Sequence, residues 1–336
     1  MTLLEIQDLH VDYKIAGGLL PAVRGVDLTV GKGQILGVAG ESGCGKSTLA
    51  GAVLRLLPAS TRVRGRISLH GEDVLGMSWG RLRAVRWSEA SIVFQGAMSG
   101  LNPVHRIGDQ IAEPILLHGT PAQRKAGRKA LAGKVGELLE SVGVPAWRAQ
   151  SYPHELSGGQ RQRVMIAMAL ACEPDLIIAD EPTTALDVMV QAQVMALLKS
   201  LVTERGVGMM LISHDLSVLS HVCDRVAVMY AGRVVEEGPA GTLFTDACHP
   251  YAKALAGAFP VIGDMASRRA PRGLPGDPPY PLDLPGGCPF HPRCAVAIEQ
   301  CATEDVRLRP AAPGRAAACV HVGVASESAT ALENLR

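Results

Sequence analysis

Apolar and polar residues alternate over positions 3–9, 11–15 and 22–30, with a Gly17-Gly18 pair between the last two. A period of two predicts half-buried strands that pair antiparallel. Positions 35–39 form an unbroken apolar run, as a strand covered on both faces would. The stretch 48–57 predicts a helix that stops at Pro58. Strand-like runs follow at 65–70 and 91–95. From about 103 to 172 the pattern turns helical, and 123–141 carries apolar residues at helical spacing with basic residues between them. Apolar strand-like runs return at 176–180, 208–212 and 226–230, separated by helical patterns at 188–203 and 216–222.

Strands alternating with helices predict an α/β fold on a parallel sheet. The expected organisation is a main domain over 1–259, with an antiparallel β-subdomain at its start and a helical subdomain inserted at about 96–172. Beyond Pro260 the composition shifts, and the proline-rich stretch 271–281 fits no regular element. The extension 260–336 reads as irregular, ordered by something other than an apolar core, with its last residues disordered.

Charge narrows the partners. The 33 basic and 32 acidic residues leave a formal charge of +1, too balanced to hold nucleic acid or an anionic membrane surface. Mean hydropathy is +0.17, but it comes from dispersed Ala, Val and Leu. The longest apolar run, 164–172, is far short of a membrane span, and the N-terminus lacks the pattern of a signal peptide. The expectation is a cytoplasmic protein that meets a membrane only through another chain.

The chemistry starts at Gly40-Glu41-Ser42-Gly43-Cys44-Gly45-Lys46-Ser47, followed by Thr48. A G-x-x-x-x-G-K-S run between a strand and a helix aims backbone N–H groups and a helix N-terminus at one anion. Lys46 would reach the β- and γ-phosphates of ATP or GTP, and Ser47 would ligate Mg²⁺. The run 176–180 ends in Asp180 and Glu181. There Asp180 would hold Mg²⁺ and Glu181 would polarise the attacking water as general base. Leu156-Ser157-Gly158-Gly159-Gln160 precedes a helix, with Ser157 as N-cap and two glycines open to a phosphate.

Together these motifs resemble the signature of ABC transporter ATPases. The resemblance implies further roles. Gln95 is similar to the glutamine that senses Mg²⁺ and nucleotide and touches the transmembrane partner. Asp187, after Ala185-Leu186, resembles the D-loop residue, and His214 the switch histidine at the γ-phosphate. Tyr13 resembles the aromatic that stacks on adenine. In the family, the signature of one ATPase domain closes over ATP held by the phosphate loop of another. One copy of each motif therefore implies a second ATPase domain, and the resemblance implies that it is a subunit of a different chain.

The segments 101–114, 152–171 and 287–294 resemble ATPase subunits of dipeptide and oligopeptide importers. The loop Gly96–Gly100 departs from that pattern. The resemblance implies two permease subunits, a substrate-binding protein, and a peripheral place on the cytoplasmic face of the membrane. Nickel, glutathione or another solute is the alternative cargo, since nothing in this chain touches cargo. A soluble ABC ATPase acting on DNA is the rival from another class.

Eight cysteines are present, and Cys288, Cys294, Cys301 and Cys319 crowd into the tail. In a reducing compartment such clusters hold metal more often than disulfides. Their spacing is wider than structural zinc pairs, and not a ferredoxin pattern. Relatives of this type are understood to carry a [4Fe–4S] cluster, which is the favoured expectation, with Zn²⁺ as the alternative. His291 and His321 are possible substitute ligands.

Overall fold

The computed structural model describes residues 2–94, 100–184, 186–258 and 274–322. The chain begins with two long strands, β1 (Thr2–Ile15) and β2 (Gly18–Gly31). They form a hairpin with Ile15 opposite Gly18. The alternation over 3–9 and 11–15 thus belongs to one strand rather than two. A bulge at Asp8, where φ is +42°, carries the strand through the break in pattern and shifts its register between Ile6 and Leu9. β4 (Arg62–Leu69) and β5 (Glu72–Asp73) complete an antiparallel sheet of order β2-β1-β4-β5. Gly65 is required opposite the bulge, because a Cβ there would lie 2.3 Å from the Asp8 carbonyl oxygen.

The central sheet runs β11 (Arg309–Ala312), β12 (Arg315–Ala317), β10 (Arg233–Pro239), β9 (Arg225–Tyr230), β3 (Ile35–Ala39), β8 (Gly208–Ile212), β7 (Leu176–Asp180), β6 (Ala90–Val93). Its parallel part comprises β3, β6, β7, β8 and β9. These strands are apolar on both faces because two cores flank them. Ile35, Ile177, Met209 and Leu211 face one core with the helical insert. Leu36, Ile178, Met210 and Ile212 face the other, with the β-subdomain and α1 (Lys46–Val53). α2 (Trp79–Ser88) leads into β6.

The insert contains α3 (Ile107–His118), α4 (Pro121–Ala130), α5 (Ala132–Ser141) and α6 (Gly158–Leu170). The helix expected over 123–141 is split. Gly127 leaves helical geometry at φ +74°, and Leu131 caps the first piece. Returning to the sheet, α7 (Val188–Arg205) and α8 (Leu216–Val222) connect the last parallel strands. β10 (Arg233–Pro239) then turns back antiparallel on β9, followed by α9 (Ala240–Leu243) and α10 (Pro250–Gly257). Among the described residues, no helix is long and apolar enough to cross a membrane.

The expected irregular tail carries structure of its own. β11 (Arg309–Ala312) and β12 (Arg315–Ala317) form a hairpin that extends the central sheet by pairing with β10. An apolar anchor joins it. Phe290 is 2% exposed and packs at 5.3 Å ring separation from both Tyr230 and Tyr251. A buried ion pair, Arg315 to Glu236 at 3.1 Å, pins the hairpin. The expected domain boundary at 260 lies outside the described residues.

Candidate active site

The loop between β3 and α1 curls tightly because its glycines adopt left-handed geometry. Gly40 has φ +150° and Gly45 φ +105°. A Cβ on Gly40 would sit 2.3 Å from the Met229 carbonyl, and one on Gly45 2.3 Å from that of Ala22. Gly43, at φ +79°, has open space where a Cβ would point. The loop is therefore walled by backbone on one side and free on the other. Gly45 caps α1 with no side chain, which leaves the first-turn N–H groups for an anion. Lys46 is 6% exposed and folds back on the loop, its Nζ donating to the Gly40 and Glu41 carbonyls at 2.8 and 3.0 Å. It is a buried cation already centred in the cradle.

β7 delivers its terminal carboxylate to the same place. Asp180 is 6% exposed and sits close to the Ser47 hydroxyl. Burial raises its pKa, opposed by the Ser47 hydroxyl and the Lys46 charge. Its Oδ1 is buried with no hydrogen-bond partner among the described residues. A buried, partnerless carboxylate oxygen beside a hydroxyl fits Mg²⁺, a hard cation that takes oxygen ligands. Gln95, the third expected ligand, lies outside the described residues.

Glu181 follows in left-handed geometry, φ +47°, the kind of strained turn that functional sites keep. Its N–H donates to the Ile212 carbonyl at 3.0 Å, so the strand edge sets the turn. Oε2 accepts the Thr184 hydroxyl at 2.9 Å and lies 3.4 Å from His214 Nδ1. The histidine, at the end of β8, is 60% exposed, while the carboxylate is 15% exposed. The structure thus brings together Lys46, Ser47, Asp180, Glu181 and His214, from three adjacent strand ends. Tyr13 joins them from β1, its hydroxyl 3.1 Å from Thr48 Oγ1.

The segment Leu156–Gln160, expected to be the signature, stands apart on the helical insert. Ser157 caps α6 in a capping box: it accepts the Gln160 N–H at 3.3 Å, and Gln160 Oε1 accepts the Ser157 N–H at 3.1 Å. Gly158 and Gly159 open the helix, and a Cβ on Gly159 would clash with Val190 Cγ1 at 2.4 Å. Asp187 caps α7 by accepting the Val190 N–H at 3.0 Å. Ala185, just before it, lies outside the described residues.

A family model described as ABC transporter matches residues 23–184, and one described as oligopeptide/dipeptide transporter, C-terminal region, matches 235–301. An oligopeptide transport ATP-binding protein of Salmonella typhimurium is 42% identical over 94% of this chain and 93% of its own. The chain belongs to the ABC transporter family. A namesake from Mycobacterium tuberculosis is 44% identical over 95% of this chain, which spans only about half, 52%, of that protein's length. Among solved structures, a dimeric post-hydrolysis ATP-binding cassette bound to ADP and Pi matches with TM-score 0.63 and 27% identity, over 71% of this chain and 99% of that one.

The tail of this ABC chain differs from expectation. Cys288, Cys294, Cys301 and Cys319 do line one small pocket, with His291 and His321 at its wall. Yet among the described residues no group of three or more His, Cys, Asp or Glu side chains is arranged to hold a metal ion. All four thiols are free, and burial pushes those of Cys288, Cys294 and Cys319 up, away from the thiolate that binds metal. Both histidines are engaged: His291 Nδ1 meets the Cys288 carbonyl at 2.9 Å and His321 Nε2 that of Val296 at 2.9 Å. The expected [4Fe–4S] cluster, and zinc with it, is therefore not supported as a preformed site.

Sequence reasoning missed a group beside the phosphate loop. Glu41 is held by Arg293 from the tail, and its N–H donates to the Tyr251 hydroxyl at 3.0 Å. Arg293 lies in sequence between Cys288 and Cys294 and belongs to no motif of its own.

Proposed function

We propose that this chain is the ATP-hydrolysing subunit of a peptide importer, working through partner permeases. The observation that carries the reading is the partnerless Asp180 oxygen beside Ser47, with the Glu181–His214 pair next along the sheet edge. ATP would lie along Gly40–Thr48, with Lys46 and the α1 N–H groups on its phosphates and Tyr13 near the base. Mg²⁺, held by Ser47, Asp180 and Gln95, would offset the phosphate charge. Glu181 would draw the proton from the attacking water, and His214 would hold that carboxylate in place beside the γ-phosphate.

The signature Ser157–Gln160 would serve the ATP of a second, different ATPase subunit. Support comes from the exposed, capped start of α6, and from Val188 and Met189 just past Asp187, which are 80% and 71% exposed. Apolar side chains at that exposure suit a face covered by a partner. The names of the relatives favour oligopeptides or dipeptides as cargo; a binding protein would deliver it at the far side of a membrane. A finer reading keeps the four tail cysteines as ligands of a [4Fe–4S] cluster, formed only when metal draws the thiols together. Its support is the donor set alone, four thiols on one pocket.

The test is ATP turnover by the full chain alone, then with a co-expressed second ATPase subunit and permeases. The expected result is weak activity alone and strong activity in the complex, raised further by peptide-loaded binding protein. Full activity in a monomeric sample, or stimulation by DNA instead of permease, overturns the reading.

A further inference from the structure

One side chain of the tail reaches the phosphate loop across 252 positions of sequence. Arg293 Nη1 and Nη2 donate to the Glu41 carboxylate at 2.8 and 3.0 Å, a two-pronged pair. Nη1 also reaches the Tyr230 hydroxyl at 3.2 Å, and Nε donates to the Pro275 carbonyl at 2.7 Å. The guanidinium lies 5.8 Å from the Tyr230 ring and 5.9 Å from that of Phe290. The pair is mostly withdrawn from water, with Arg293 7% and Glu41 21% exposed.

Glu41 is an awkward residue for its position. It is the second residue of a loop that must cradle a polyanion, and Lys46 Nζ sits on its own carbonyl oxygen. An unpaired carboxylate there, poorly screened by solvent, repels phosphate. Arg293 cancels that charge and, with Tyr251 on the Glu41 N–H, holds the first turn of the loop from outside. The tail is thereby part of the nucleotide site without touching nucleotide.

We propose that Arg293 is a positioning residue for ATP: by neutralising Glu41 it lets the C-terminal tail set the nucleotide affinity of the phosphate loop. The proposal rests on the ATP reading above. It differs from a plain staple between tail and core, because a staple acts through folding and the pair acts through charge.

The test is equilibrium titration of the purified full chain with a fluorescent ATP analogue and Mg²⁺, at low and at high salt. Arg293→Gln is expected to weaken binding roughly tenfold at low salt, the scale of one uncompensated charge near a polyanion, and by less at high salt. Arg293→Lys, which keeps the charge without the fork, retains most of the affinity. Adding Glu41→Gln to Arg293→Gln restores it, because the repelling charge is gone. Unchanged affinity in Arg293→Gln overturns the proposal. So does a loss that Glu41→Gln does not relieve, which makes the residue a staple. Should Arg293→Gln fail to fold, Glu41→Gln in the otherwise unchanged chain decides. It leaves a bare guanidinium beside the phosphates and must tighten binding, and weaker binding overturns the proposal. No binding by the unchanged chain overturns the ATP reading and this proposal together. Binding by the unchanged chain with a flat variant series overturns this proposal alone.

Discussion

Replacing Glu181 with Gln separates chemistry from architecture at this site. The side chain keeps its shape, and an amide oxygen can still accept the Thr184 hydroxyl now at 2.9 Å. What is lost is charge and basicity. The structural penalty is small: weakening one hydrogen bond to an ionised acceptor costs about 1 kcal/mol. The contact with His214 adds less than about 1 kcal/mol, because that ring is 60% exposed. The kinetic penalty is larger. Losing a general base costs at least ~100-fold, or about 2.7 kcal/mol of barrier. Turnover by the assembled transporter should therefore collapse while the chain melts within a few degrees of the unchanged protein. Nucleotide binding should persist, since Lys46 and the loop glycines are untouched, and the ATP-bound closed pair should accumulate. Near-normal turnover would remove Glu181 from its role. Parallel loss of turnover and nucleotide binding would also refute the reasoning, by making Glu181 a structural residue.

Two further outcomes are expected from the tail and its seat. His249 is 1% exposed, and burial lowers its pKa from 6.5 to about 4, opposed only in part by the nearby Ala318 backbone. The folded state thus favours neutral imidazole, so its contribution is fully present above pH 6.5 and is lost as pH falls towards 4, by up to about 3 kcal/mol. Urea midpoints should fall across that window and do so less steeply in His249→Gln; equal slopes would refute the assignment. If the four cysteines of the tail pocket do take up a [4Fe–4S] cluster, anaerobically purified protein is brown, with iron and sulfide in fixed ratio, and removing the metal changes ATP affinity little. Zinc without iron would replace the cluster with a zinc site, and neither metal in a protease-resistant tail would reject metal ligation.

Local signals in the chain were legible because their physics is local. Apolar runs at 35–39, 176–180 and 208–212 identified strands with both faces buried, and the structure pairs them side by side. Ser157 was readable as a helix cap because its partner, Gln160, is three residues away. The motif spacings were informative for the same reason: the residues of each motif sit on one turn. Errors arose where a distant contact overrode a local pattern. The break near Asp8 reads as a strand end, yet β4 supplies Gly65 opposite it and the strand continues. Gly127 is a weak interruption in sequence but ends helical geometry in the chain.

The tail shows most clearly why composition misleads. Its hairpin has no alternating apolar face, so no period of two announces it. The hairpin is held instead by a ladder to β10 and by Arg315, 7% exposed, against the fully buried Glu236. Glu236 also accepts the N–H groups of Cys248 and His249 at 2.9 and 2.7 Å, so one carboxylate fixes both the hairpin and the turn into α10. α10 carries Tyr251, whose hydroxyl accepts the Glu41 N–H, and Phe290 of the tail packs on that ring. A run of contacts therefore links the cysteine-rich segment to the phosphate loop through polar pairs and aromatic rings, with no motif at any step. Residues that act through such a chain of contacts carry no signature of their own. For that reason a reading by motifs assigns the tail to its cysteines, and the structure adds the arginine between them.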